Sequence, residues 1–193
     1  NSLTPNGAIQ WDLSANVTQP GSGDPLARPS SRTTQQMVWQ RHESGPIGNL
    51  LKANPDLSVL IVSTVPAESK LIRSVLTAFG VSNIRCAAGP AEALDQIRRK
   101  RPDIAVIDQE LGTTIGISLT QYLRQHADSP APDLPVIVMA SVLSKADIFE
   151  MRNAGVTEIL AKPFAPDALA RHLANTMLNQ RDFIQSADFC GPD

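Results

Sequence analysis

Five short apolar runs, separated by helical patterns between residues 57 and 178, most constrain what this chain can fold into. The runs cover 57–62, 84–88, 104–108, 134–140 and 157–161. They are nearly continuous and rich in β-branched residues, as expected of parallel strands buried on both faces. The segment 67–79 between the first two carries Leu71, Ile72, Val75, Leu76 and Phe79 at helical spacing, with Gly80 as its C-terminal stop. Further helices are expected over 91–100, 117–126, 144–153 and 166–178, two of them opened by Pro90 and Pro166. Five strands alternating with five helices predict an α/β domain, a doubly wound five-stranded parallel sheet with helices on both faces. Right-handed crossovers then place every strand C-terminus on one rim. The groups meeting there are Ser63 and Thr64, Asp108, Ala140 and Ser141, and Lys162. Asp108 ends a wholly apolar run at the edge where open α/β sheets bind ligands, which makes it the first candidate for chemistry.

Outside this core the chain reads differently. Residues 1–55 are dominated by Pro, Gly, Ser, Thr, Gln and Asn, with isolated apolar residues such as Ile9, Trp11 and Leu13. Too little apolar surface is available there to offset chain entropy, so a largely disordered N-terminal extension is expected. A short helix fits 33–42, with Met37 and Trp39 as docking residues, and the sharper expectation is a segment that folds on a partner or on this domain. The domain is bounded at 56–178, with order starting near Leu57, and 179–193 is a C-terminal tail without periodicity that holds Phe183, Ile184 and Phe189.

Composition removes several functions. The net charge of -2 gives no global reason to expect nucleic acid or an anionic membrane as partner. Aromatic residues make up 4%, too few for a base-stacking surface. The basic run at 98–101 suits the C-terminal end of a helix dipole better than a nucleic-acid patch. Two distant cysteines make neither a metal site nor a disulfide framework, and a cytoplasmic setting is expected. No apolar run approaches the roughly 20 residues of a membrane span. No Gly-rich phosphate loop follows the first strand, and no Cys/His or Ser/His pair falls on the rim. An enzyme or small-molecule binder on this fold is therefore the weakest of three readings, although fold alone does not exclude it. His42, His126 and His172 share no spacing and read as surface residues.

Three stretches carry a resemblance: RPDIAVID at 101–108, LPVIVM at 134–139 and AGVTEILAKPF at 154–164. Over about 57–178 the chain resembles the receiver domain of bacterial two-component response regulators, an atypical one. The resemblance implies a flavodoxin-like sheet of order 2-1-3-4-5. It implies that Asp108 stands where the family's phosphoacceptor stands and that Lys162 stands where a lysine contacts the phosphoryl oxygens. It also exposes departures. The family's acidic pair, which holds Mg²⁺, falls on Ser63 and Thr64. The switch hydroxyl falls on Ala140, with Ser141 beside it, and the switch aromatic falls on Ile159.

Mg²⁺ requires hard oxygen ligands, and only Asp108 and Glu110 are expected nearby, so any metal site is weak and no cofactor is expected. Without the metal, phosphoryl transfer loses the charge neutralisation it depends on. Ser63 is expected to cap the first helix, and Asp108 with Lys162 reads equally as a pocket remnant or a structural ion pair. Two readings stay open. One is a degenerate, non-enzymatic receiver in a phosphorelay that works by phosphorylation-independent protein–protein interaction. The other is a functional receiver phosphorylated on Asp108 by a histidine kinase. The expected partner is a protein, a kinase or another signalling protein. The family's face of fourth helix, fifth strand and fifth helix, near Lys145, Arg152, Glu158 and Arg171, is the expected contact, including for a homodimer. The tail could cover part of that face or bind a partner in extended form.

Overall fold

The computed structural model describes residues 45–112, 114–141, 144–179, 183–185 and 190–192. The expected helix at 33–42 lies outside these residues. The elements are α1 (Pro46–Lys52), β1 (Ser58–Val62), α2 (Pro66–Ala78), β2 (Asn83–Ala87), α3 (Pro90–Arg99), β3 (Ile104–Asp108), β4 (Glu110–Leu111) and β5 (Thr114–Ile115). They continue as α4 (Gly116–Gln125), β6 (Val136–Ala140), α5 (Lys145–Asn153), β7 (Glu158–Ala161), α6 (Pro166–Leu178), β8 (Phe183–Gln185) and β9 (Cys190–Pro192).

The main sheet has the order β2-β1-β3-β6-β7, with every pairing parallel. Counted among the sheet's own strands this is 2-1-3-4-5, the order the resemblance implied. The three central strands are buried at every position, which is why their sequences run apolar without alternation. Alternate side chains enter two cores. Leu60, Val62, Ala105, Ile107, Val136 and Val138 pack with residues of α3, α4 and α5 on one face. Val59, Ile61, Val106, Ile137 and Met139 pack with residues of α1, α2 and α6 on the other.

Local signals explain most boundaries. Pro66, Pro90 and Pro166 each occupy the first helical position. Gly80 adopts φ 95° just past α2, a left-handed conformation that suits glycine. Ser144 caps α5 in a reciprocal box with Asp147. Arg124, at the end of α4 and almost fully buried, donates to the carbonyls of Gly155, Pro132 and Leu134. Arg85 likewise covers the carbonyls of Gln96 and Lys100 at the end of α3, and Arg101 of the basic run pairs with Asp133 at the surface.

Three features differ from the sequence reading. Order begins ahead of Leu57: α1 packs on α6, and Leu51 is fully buried. The loop after Asp108 contains a two-stranded hairpin, β4 with β5. The tail contains a second one, β8 with β9, in which β9 lies against α4.

Candidate functional site

The rim at the strand C-termini brings Asp108, Lys162 and Ser63 together, and adds Glu68, which the sequence reading missed. Asp108 ends β3 and is 4% exposed. Its Oδ1 accepts from the Glu110 backbone N–H at 3.1 Å and from Lys162 Nζ at 2.9 Å. Lys162 follows β7, fixed by its own N–H donating to the Ala140 carbonyl at 2.7 Å. Its ammonium also meets Glu68 Oε1 at 2.5 Å, with the two side chains 19% and 20% exposed. The other Glu68 oxygen accepts from Ser63 Oγ at 2.9 Å, and Ser63 Oγ accepts in turn from the Val65 N–H at 3.2 Å. One ammonium thus joins two carboxylates, and a hydroxyl anchors the far end of the chain of bonds.

The electrostatics follow from this arrangement. Burial alone would push the Asp108 carboxyl up. Contact with the Glu68 side chain, the Lys162 hydrogen bond, the Glu110 amide and the lysine's charge together hold it below its ordinary value. Burial alone would pull the Lys162 ammonium down, but Glu68 and Asp108 more than offset that and raise it.

The remaining predicted residues divide. Ser63 is buried, and its hydroxyl serves Glu68 and the turn at Val65, while the N-cap residue of α2 is Val65, without a side-chain cap. Thr64 is exposed. Ala140 is buried and contributes its carbonyl to Lys162; Ser141 beside it is exposed. Ile159 is half-buried and packs on the α3–α4–α5 core. Glu110 enters the site only through its backbone N–H, with its side chain exposed, so the second carboxylate of the pocket is Glu68 and not Glu110. Glu68 lies in the first turn of α2, where an acid is unremarkable because it suits the helix dipole. Its one distinguishing signal is a position one helical turn into the element that follows the Ser63 end of β1. Gly116 closes the site from behind: a Cβ there would meet the Asp108 carbonyl oxygen and Ile107.

These groups do not fit Mg²⁺. Both carboxylates already share the Lys162 ammonium, and Ser63 Oγ is engaged on both sides. Among the described residues, no group of three His, Cys, Asp or Glu is placed to hold a metal ion. None of the described helices is long and apolar enough to cross a membrane.

A second surface stands out by contrast. On α5, Phe149 is 64% exposed and Ile148 45%. On β7 and α6, Glu158 pairs with His172, and Asp167 with Arg171.

Comparison with known proteins agrees with the geometry. The polar-differentiation response regulator DivK of Brucella anthropi is 32% identical over 108 residues, spanning 56% of this chain and 85% of DivK. A putative response regulator from Chloroflexus aurantiacus superposes with a TM-score of 0.57 at 29% identity, over 63% of this chain and 97% of that one. A CheY-like receiver domain protein from Methanospirillum hungatei gives a TM-score of 0.57 at 22% identity, over 64% and 94%, a likeness of fold. The family model "Response regulator receiver domain" matches residues 59–174, more than half of the chain. The fold, the rim that unites Asp108 with Lys162 and these matches together place the chain in the response regulator receiver domain family of two-component signalling.

Proposed function

We propose that this receiver signals by phosphorylation-independent protein–protein interaction, its Asp108 pocket being degenerate. The observation that carries the reading is the double engagement of Lys162 by Glu68 and Asp108. A lysine so held offers little to an incoming phosphoryl group, and no metal set replaces it. Ala140 has no hydroxyl and Ile159 no ring with which to report a modification. The partner surface in this reading is the α5–β7–α6 face, on whose α5 Phe149 and Ile148 are exposed. An exposed aromatic residue is the kind of anchor on which interaction patches are built. The occupant is another signalling protein or a second copy of this chain, in the cytoplasm, and the domain catalyses no reaction of its own.

The test is incubation with Mg²⁺ and a small phosphodonor, followed by intact mass measurement. No phosphate adduct is expected. An adduct that disappears in Asp108→Asn would establish the second reading, a receiver phosphorylated on Asp108 by a histidine kinase. The retained Asp108–Lys162 contact is what favours that alternative.

A further inference from the structure

We propose that Glu68 is a positioning residue that holds Lys162 and thereby shuts the Asp108 pocket to phosphoryl groups. This deepens the reading above and rests on it. A solvated first-turn acid needs no partner. Glu68 instead has both carboxylate oxygens committed, one to Lys162 at 2.5 Å and the other to Ser63 at 2.9 Å, and is only 20% exposed. Ser63 is itself tied to the Val65 N–H, so the carboxylate is braced from the backbone.

The charge balance is decisive. Two carboxyl side chains face a single ammonium in the cluster before any anion arrives. An ammonium has three donors, and two are already spent on carboxylates. A phosphoryl group on Asp108 would find one lysine donor left and the Glu68 carboxylate held beside the new anion. Removing the Glu68 charge frees one lysine donor and lowers the negative charge by one unit. Ser63 and Thr64 then leave a pocket that is poor in ligands but no longer blocked.

The experiment uses the full chain as wild type, Glu68→Ala and Glu68→Gln. The first readout is acetylation of Lys162 by an N-hydroxysuccinimide ester, quantified by peptide mass spectrometry. Labelling several-fold faster in Glu68→Ala is expected, with Glu68→Gln between it and the wild type. The second readout is the phosphate adduct from phosphoramidate, with and without Mg²⁺. In that step an Asp108 carboxylate oxygen forms the new P–O bond as the P–N bond breaks, and ammonia leaves after protonation by solvent. The adduct is expected in Glu68→Ala and not in Glu68→Ala/Asp108→Asn.

Lys162 labelled at the wild-type rate in Glu68→Ala would overturn the proposal. A freed lysine without any adduct would overturn it too, while leaving the phosphorylation-independent reading intact. An adduct on the wild type would overturn that reading instead. The role of Glu68 would then stand if Glu68→Ala forms the adduct faster, and fall if it does not. Circular dichroism of each variant confirms that a folded protein is measured; if Glu68→Ala unfolds, Glu68→Gln decides both readouts.

Discussion

The rim around Asp108 and the face around Phe149 lie on the same sheet and meet opposite fates. At the rim, charged groups crowd together and satisfy one another: Glu68, Lys162, Asp108 and Ser63 form one continuous chain of bonds. On α5 an aromatic and a β-branched side chain, Phe149 and Ile148, are left 64% and 45% exposed. A polar cluster that closes on itself contributes to the fold and offers little outward. An exposed apolar pair contributes little to the fold and gains when something covers it. Position on a shared fold therefore does not say where activity lies; the state of satisfaction of the side chains does.

The largest way to break this contrast is Lys162→Met. It leaves two carboxylates facing each other without their cation and should cost about 2–4 kcal/mol in urea unfolding, somewhat less than for a fully buried pair. A loss below about 0.5 kcal/mol would mean that the rim is solvated and not closed. Next comes Phe149→Asp. Self-association by analytical ultracentrifugation, or capture of a cognate partner, should weaken by about 2 kcal/mol, with stability within about 0.5 kcal/mol of wild type. Equal association by both proteins would remove α5 from the interface.

A third, smaller effect is in pH. Asp108 titrates below its ordinary value of 3.8, so its contribution is present above that value and is lost as pH falls through the lower folded one. Lys162 titrates above its ordinary 10.5, so its contribution is full below 10.5 and is lost as pH rises through the higher folded one. The stability gap between wild type and Lys162→Met should be flat across neutral pH and shrink at both extremes. A gap that changes between those limits would point to other groups. The smallest expected effect is that of Asp108→Asn on partner affinity, which should stay within about 0.5 kcal/mol. A larger change would couple the rim to the face.

Much of this was legible in the chain. Buried runs of β-branched residues located the central strands, and prolines and glycines located the helix ends. Lys162 could be paired with Asp108 because both follow strands whose C-termini share the rim. Glu68 could not be found that way, since its meaning depends on a side chain reaching back across the β1–α2 turn. The hairpin 110–115 was read as a loop because two-residue strands leave no period to detect. Leu51 sits among Asn, Gly and Pro, and only its tertiary contact with the α6 side reveals α1 as part of the core.

Arg124 has a consequence for recognition. Its guanidinium clamps the Gly155 carbonyl in the turn between α5 and β7, and on its other arms the carbonyls just ahead of β6. The turn that follows α5 and the segment that leads into β6 are thereby bolted together from α4, which packs on the same face of the sheet as α5. A partner arriving at α5 meets a surface whose shape is already set and spends little ordering it. Affinity for that partner should accordingly depend on an arginine that never touches it.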